Sequence, residues 1–436
     1  MNKIRKAAVA AITVAAVLFC GCNNGSSDAV SAVSSSIAHS SSAEQAFTVP
    51  NTNSFSSNDQ SNDITYFGSR DISEISELYS KNNGGTITVE TSGADYINKL
   101  SKKVSADASP DLCDKVDSTY PYQISMNLYE DLTDYIDTTS PQWADMTDVI
   151  EHYSFKGGRY FYPTTIKIMP QFLIYIKSTY IQCGNIPDPE MLWRNDNWTW
   201  QSFGEGASGI ISSEASSADT LISGSGVFVD FLASSGVPLF SQSGSRFVNG
   251  LASENAVRVY ELLSPYKIDH SSVISAEKEI QGSVFVSGDE KTLAKLRSTN
   301  LTVGVVPYPR DENADKYYCK ATTEGFLVPK GAKNIQGAAS FINCSRIVDA
   351  SVEHRGKENK KLIQSGLLRS DVEWLESLRG SGKMTPLLVD EDCFDSSVNA
   401  DIRNLLIYDG DSWDEALGEY SVKIDGALES INAVIE

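Results

Sequence analysis

The residue types that most often carry catalysis or bind metals are scattered along this 436-residue chain. Its histidines are His39, His152, His270 and His354. They lie far apart, without the His-x-x-x-His or Glu-x-x-His spacing of a metal site. The chain also has no Gly-x-Ser-x-Gly nucleophile elbow and no Gly-Lys-Ser/Thr phosphate loop. The motifs therefore predict neither a metal centre nor a nucleophilic enzyme.

Two weaker patterns could suggest chemistry. Residues 204–209 read Gly-x-Gly-x-x-Gly, but a dinucleotide loop follows a hydrophobic strand, and residues 198–203 are typical of a helix start. The acidic pairs Glu130/Asp131 and Glu391/Asp392 have the composition of glycosidase carboxylates. A solvated charged face explains them better in a chain this acidic. We therefore predict a binding protein with no bound cofactor, rather than an enzyme.

The cysteines of the folded body show no motif. They are Cys113, Cys183, Cys319, Cys344 and Cys393. Their odd number and the lack of a Cys-x-x-Cys pair argue against both a zinc site and a disulfide framework. We interpret them as buried free thiols, although one disulfide stays open for an exported protein.

Composition and charge limit the class of protein. With 41% hydrophobic residues, the chain can bury a sizeable core, and its length predicts two lobes or domains. The formal net charge of −21 argues against nucleic-acid binding, which needs a basic surface. It also disfavours docking on an anionic membrane surface, but it does not restrict a small ligand in a cleft.

The N-terminus has the features of a targeting segment. Lys3, Arg5 and Lys6 precede an apolar run at 7–19 that is too short to span a bilayer. Residues 18–22, Leu-Phe-Cys-Gly-Cys, resemble a bacterial lipoprotein signal. By that resemblance, residues 1–21 are a signal peptide and Cys22 carries the lipid. An ordinary secretory signal with a nearby cleavage site is the alternative.

Residues 22–61 are rich in Ser and Asn and poor in large apolar side chains. Such a segment buries too little surface to offset its ordering entropy, so we predict a flexible tether, with the folded body starting at residue 62.

The body begins with alternating strands and helices. Apolar patterns predict strands at 64–67, 86–90 and 110–113, with amphipathic helices between them. This order predicts a largely parallel sheet, whose ligands lie beyond the carboxyl ends of the strands, at 68–71 and 114–122. Further on, residues 157–176 predict two short strands, 160–162 and 172–176, joined by a bend at two prolines. We interpret this stretch as a crossing between lobes.

Several segments in this order resemble the carbohydrate-type extracellular solute-binding proteins of ABC importers (family 1). They are Ser-Pro-Asp-Leu at 109–112, Leu-Tyr-Glu-Asp-Leu-Thr-Asp-Tyr-Ile at 128–136, Gly-Arg-Tyr-Phe-Tyr-Pro at 158–163, Trp-Thr-Trp-Gln-Ser-Phe at 198–203, Glu-Gly-Phe-Leu-Val-Pro-Lys at 324–330 and Trp-Asp-Glu-Ala-Leu at 413–417. The chain departs from the family pattern at 175–177, which lacks the usual Tyr-Asn pair, and at 281–288, where a ligand-facing aromatic residue is common. These departures weaken the sugar assignment and leave the fold assignment intact.

The resemblance implies an α/β, two-lobed periplasmic-binding-protein-like (type II) fold, each lobe a mainly parallel sheet flanked by helices, with a hinge between them. The first lobe is expected to contain 62–167 plus 326–373, and the second 168–325 plus 374–436. It also implies a monomeric clamp that closes on a solute and docks on an ABC permease, anchored to the membrane through the lipid on Cys22.

Strand-end logic and the resemblance together nominate ten ligand-binding residues. They are Arg70, Asp71, Lys115, Asp117, Tyr120, Lys167, Gln171, Phe228, Glu324 and Phe394. Phe231 is a further candidate, but its helical neighbours are apolar. For every aromatic residue, core packing is an equally good explanation, and for Arg70 and Lys115 a surface ion pair is the alternative.

Two other functions stay open at this point. A surface-anchored protein could bind a non-sugar solute such as a peptide or an amine, or serve signalling. A surface glycan-processing enzyme would require two carboxylates that converge in the cleft.

Overall fold

The computed structural model describes residues 62–93, 95–116, 118–243, 246–269, 280, 282–380, 382–388, 394, 398 and 413–435. The predictions for the signal peptide, the tether, Cys22 and Asp117 lie outside these residues.

The strands are numbered in chain order. They are β1 (Ile64–Gly68), β2 (Ile87–Thr91), β3 (Leu112–Asp114), β4 (Phe161–Ile168), β5 (Phe172–Ile176), β6 (Thr220–Ser223), β7 (Phe240–Ser243), β8 (Arg246–Asn249), β9 (Ile268–Asp269), β10 (Ser283–Gly288), β11 (Val303–Val306), β12 (Tyr317–Leu327) and β13 (Met384–Leu388).

The α-helices span Ser73–Asn83, Tyr96–Ser105, Thr147–His152, Lys177–Cys183, Pro189–Arg194, Trp200–Ile211, Val227–Ser234, Glu254–Leu263, Glu290–Arg297, Ile335–Ala350, Val352–Gln364, Arg369–Gly380 and Trp413–Ile435. Short 3₁₀ turns lie at Pro141–Trp143 and Gly250–Ala252, and a π-helical turn at Thr119–Gln123.

The strands form two mixed sheets and one hairpin. The first sheet has the order β13-β12-β3-β1-β2, with β4 also paired to β12, and the second has the order β11-β5-β10-β6-β9. The predicted parallel β1–β2 and β1–β3 pairs are present, joined through helices. Antiparallel pairing enters the first sheet where β12 meets β3 and β4, and the second sheet where β5 meets β10 and β11. The predicted α/β class is confirmed.

The chain passes from the first sheet to the second between β4 and β5, as the crossing at 157–176 predicts. The predicted strand end at Pro163 is wrong, because β4 continues through it to Ile168. Pro163 pairs with Gly325, where the register of the β4–β12 pair shifts. An irregular ladder position tolerates a residue without an N–H, so the proline does not end the strand.

Two of the three proposed lobe boundaries fall on the strands β4 and β12. The 167/168 boundary lies at the end of β4, the 325/326 boundary lies within β12, and the 373/374 boundary lies within helix Arg369–Gly380. The division into two discontinuous lobes remains a prediction.

Aromatic packing fills the second sheet's core, where the Phe203 and Phe285 rings stack at 5.3 Å. The four cysteines in the described part of the body are free thiols, and Cys113, Cys319 and Cys344 are buried. Burial raises the pKa of the Cys319 thiol to about 12, so it is held in the neutral form.

Candidate functional site

Arg70 follows β1, and the carboxylate of Asp349 holds its guanidinium. Nη2 lies 2.8 Å from both Asp349 carboxylate oxygens. The guanidinium carbon lies 5.1 Å from the centre of the Phe326 ring. Burial opposes the charge of Arg70, but the carboxylates of Asp349 and Glu324 outweigh it and raise its pKa. Arg70 is therefore a fixed cation whose side chain is 20% exposed.

Lys115, after β3, and Tyr120 both contact the ring of Tyr153. The Lys115 Nζ lies 5.5 Å from the centre of that ring, and the Tyr120 ring meets it edge-on at 5.1 Å. Tyr120 also contacts Phe247 of β8 at 5.8 Å. Because Tyr120 is buried, it is a packing residue in this structure and presents no open ring face.

The antiparallel pair of β4 and β12, which we name the crossing ribbon, has two faces. Lys167 is opposite Thr322, and Thr165 is opposite Glu324, with Thr323 between them. Directly opposed residues share a face of the sheet, and successive residues alternate. Lys167 and Glu324 therefore lie on one face of the ribbon, and Thr323 lies on the other.

Thr323 shows which of the nominated residues belong to the second face. Its hydroxyl donates to the Tyr153 hydroxyl at 2.9 Å. The group formed by Lys115, Tyr120 and Tyr153 thus lies on the face opposite to Lys167. The nominated residues do not form a single group, because the ribbon separates them.

An ionic contact joins the crossing ribbon to the second sheet. The Lys167 ammonium lies 3.0 Å from Oε2 of Glu290, the first residue of the helix that follows β10. Oε1 of Glu290 accepts a hydrogen bond from Arg379 Nη2 at 3.2 Å. The Glu290 side chain is only 8% exposed, whereas that of Lys167 is 37% exposed. Lys167 therefore faces solvent while its partner is fixed in the interior.

Gln171 lies just beyond β4 and is part of a second polar chain. The Tyr308 hydroxyl donates to Ser287 Oγ at 2.7 Å, and Ser287 Oγ donates to Gln171 Oε1 at 3.4 Å. Ser287 is near the end of β10, three residues before Glu290. We name Lys167, Gln171, Ser287 and Glu290 the crossing cluster.

The other nominated residues have separate positions. Asp71 accepts hydrogen bonds from the hydroxyl and the backbone N–H of Ser73, which lower its pKa, at the start of helix Ser73–Asn83. Phe228 and Phe231 are buried in helix Val227–Ser234. Phe394 is buried against the ring of Phe240, at 5.9 Å. Their roles as ligand contacts remain predictions.

The structure thus divides six of the nominated residues into three pairs that lie in the same region: Lys167 with Gln171, Arg70 with Glu324, and Lys115 with Tyr120. The sequence reasoning missed Glu290, Ser287 and Asp349. The strand-end rule could have found the first two, since both lie at the carboxyl end of β10.

The described residues contain no group of three or more His, Cys, Asp or Glu side chains arranged to hold a metal ion. None of the helices in the described ranges has the length and apolarity needed to cross a membrane.

Residues 74–346 match the family model of bacterial extracellular solute-binding proteins. The match covers more than half of the chain, which therefore belongs to this family of binding proteins. A search of curated proteins gives no significant match.

Solved structures share the fold at low sequence identity. The sugar-binding protein MalE of Xanthomonas citri is 14% identical, with a TM-score of 0.61 over 84% of this chain and 98% of that one. The GacH receptor of Streptomyces glaucescens, solved with and without acarbose, is 14% identical, with a TM-score of 0.55 over 85% and 99%. An ABC substrate-binding protein of Listeria monocytogenes in complex with cycloalternan is 14% identical, with a TM-score of 0.52 over 86% and 99%. The chain thus has the two-lobed fold of these solute-binding proteins.

Proposed function

We propose that this protein captures a small solute, a mono- or oligosaccharide, in the cleft at the crossing ribbon and delivers it to the permease of an ABC importer. The observation that carries the proposal is the ribbon itself. It links the two sheets and presents Lys167 and Glu324 on one face. Lys167 pairs with Glu290, three residues after Ser287, which binds Gln171. A solute at this position can contact both halves of the molecule.

The mechanism is a hinged clamp. A ligand that contacts both lobes binds the closed state more tightly than the open state, so it shifts the population towards closure. The permease then recognises the closed form. The link between β4, which ends at Ile168, and β5, which begins at Phe172, is short. A short link between the two sheets suits a hinge motion.

A saccharide suits the chemistry of the site. Sugar hydroxyls both donate and accept hydrogen bonds, and the partly exposed Lys167 and Gln171 supply complementary groups. The structural relatives named above include a sugar-binding protein and complexes with acarbose and cycloalternan.

We propose further that residues 1–21 are removed and that a lipid on Cys22 anchors the protein to the outer face of the cytoplasmic membrane. Residues 22–61 would act as the tether, and the protein would work as a monomer. The charged N-terminus, the apolar run at 7–19 and the Leu-Phe-Cys-Gly-Cys segment support this part of the proposal.

A non-sugar solute such as a peptide or an amine is the second candidate. One observation favours it: the nominated aromatic residues Tyr120, Phe228 and Phe394 are each at most 2% exposed, so the more accessible of the described nominated residues are polar or charged. A sugar ring prefers an open aromatic platform, whereas a charged solute does not need one.

A thermal-shift screen tests the proposal. The protein would be produced without residues 1–21 and with Cys22→Ser, then mixed with saccharides, amino acids, short peptides and polyamines. A ligand at about 100 times its Kd should add about 2.7 kcal/mol of stability. Stabilisation by saccharides that stay intact supports the transport function. Cleavage of the saccharide would indicate an enzyme, and a response confined to peptides or amines would overturn the sugar assignment.

A further inference from the structure

We propose that Glu290 is a positioning residue for solute binding: it orients the Lys167 ammonium, which donates hydrogen bonds to acceptor oxygens of the solute. This inference rests on the proposed function and adds a specific division of roles within the crossing cluster. Lys167 would contact the solute, and Glu290 would act only through Lys167.

The first step is the donor count at Lys167. An ammonium has three N–H donors. Glu290 Oε2, at 3.0 Å, is the one hydrogen-bond acceptor that the described residues offer this ammonium. Two donors are left, and the 37% exposed side chain lies on the open face of the crossing ribbon. Lys167 can therefore bind Glu290 and a solute at the same time.

The second step is the rigidity of Glu290. Its helix is capped by Asp289, whose carboxylate accepts a hydrogen bond from the Thr292 backbone N–H at 2.9 Å. Arg379 binds the other carboxylate oxygen. Both Glu290 oxygens are therefore occupied by cations within an almost fully buried environment. A side chain held in this way cannot reorient freely, so its contact fixes the direction of the flexible Lys167.

The third step is the anchoring of Arg379 itself. Its helix, Arg369–Gly380, is tied to the second sheet by Asp371, which accepts from Arg297 Nε and Nη2 at 3.0 and 2.6 Å. Trp374 of the same helix packs on Phe172 of β5 at 5.9 Å. The support of Glu290 thus extends into the body of the second sheet, and Lys167 is the exposed end of this chain of contacts.

Isothermal titration calorimetry with maltotriose, in the Cys22→Ser protein, tests the separate roles of Lys167 and Glu290. We expect K167M and E290Q each to raise the Kd about tenfold, the loss of one charge-assisted hydrogen bond. If Glu290 acts only through Lys167, the K167M/E290Q double variant binds no more weakly than K167M alone. E290D, which keeps the carboxylate, should recover part of the affinity.

Glu376 provides a matched control. It binds Arg379 Nη1 at 3.3 Å from the same helix and makes no ion pair with Lys167 within the described residues. E376Q should keep the Kd within about twofold of the wild-type value. Thermal unfolding of each variant checks that it is folded, and E290D provides the comparison if E290Q is not.

The outcomes separate this inference from the proposed function. Maltotriose binding that is equally tight in wild type and E290Q, or effects of the two substitutions that simply add, would overturn the positioning role alone. A wild-type protein that binds no saccharide in the screen would overturn the proposed sugar function and this inference with it.

Discussion

The carboxylate of Asp349 binds the guanidinium of Arg70 across 279 residues of sequence, with both oxygens 2.8 Å from Nη2. Arg70 follows the first strand of the body, and Asp349 lies in the last turn of helix Ile335–Ala350. Ser345 donates a further hydrogen bond to the same carboxylate at 3.1 Å. The contact ties the carboxyl end of β1 to a helix that the chain reaches only after it has built the second sheet.

We expect D349A to lower the free energy of unfolding by about 3 kcal/mol. Asp349 is almost fully buried, so its removal leaves the mostly buried Arg70 charge without its main partner. Urea unfolding followed by circular dichroism measures the difference.

An exposed ion pair in the next helix is the matched control for this substitution. Glu353 and Lys357 lie 2.9 Å apart, and their side chains are largely open to solvent. E353Q should cost less than about 0.5 kcal/mol, because exposed pairs contribute little. Equal losses in D349A and E353Q would show that the Arg70–Asp349 pair does not stabilise the fold.

Local pattern predicted the βαβ start and the crossing, because these depend on the periodicity of apolar residues and on turn residues. The partner of Lys167 could not be predicted in that way, since Glu290 lies 123 residues further along the chain. The antiparallel pairing of β5 with β10 brings the two segments together. Strand-end position limits the candidates, but it does not say which of them meet.

Aromatic residues show a second limit of the sequence. Phe228 follows a glycine-containing turn after β6, a position that suits a ligand platform and a core residue equally well. Its direction depends on how its helix packs on the sheet, which the local sequence does not specify. The structure places the ring in the interior.

We expect F228A to act mainly on stability. Phe228 is 1% exposed, so truncation removes a buried ring and leaves a cavity, at a cost of about 3 to 5 kcal/mol. F228L, which keeps much of the volume, should cost less than half as much. Calorimetric unfolding measures both variants. If F228A has the free energy of unfolding of the wild type but no longer binds the solute, Phe228 is a ligand contact and not a packing residue.

Asp131 makes a pH-dependent contribution to stability. Partial burial opposes its ionisation, but hydrogen bonds from Thr133 and from the Arg159 backbone N–H, at 3.0 Å, outweigh this and lower its pKa below the ordinary 3.8. A carboxylate with a lowered pKa stabilises the fold above its unfolded pKa, and that stability is lost as the pH falls through the folded value. Asp131 should therefore contribute fully at pH 7 and lose its contribution below about pH 4.

D131N tests this assignment. The variant should be less stable than wild type at pH 7, by about 1 kcal/mol for the weakened hydrogen bonds, and the difference should shrink between pH 4 and pH 2. Urea unfolding at several pH values measures it. D134N is the control, because Asp134 makes no side-chain hydrogen bond within the described residues and should leave the stability at pH 7 unchanged. A constant difference between D131N and wild type at all pH values would contradict the assignment.

Asn432 attaches the C-terminal helix to the β7–β8 hairpin. Its Oδ1 accepts from the Phe247 backbone N–H at 2.8 Å, and its Nδ2 donates to the Phe247 carbonyl at 3.0 Å. The amide thus takes the place of a neighbouring strand, and it is buried. Because the Phe247 ring packs on Tyr120, the contact also supports one of the nominated ligand residues.

N432A should lower the free energy of unfolding by about 2 to 4 kcal/mol, because it leaves a buried N–H and a buried carbonyl without partners. Urea unfolding provides the measurement. S430A is the control, since Ser430 is exposed and, among the residues that the structure describes, bonds only the Gly426 carbonyl of its own helix, at 3.0 Å. A change below about 0.5 kcal/mol is expected. If N432A proves as stable as S430A, the hydrogen bonds between the helix and the hairpin do not stabilise the fold. That result would also contradict the inference that Asn432 helps to hold Tyr120 in place.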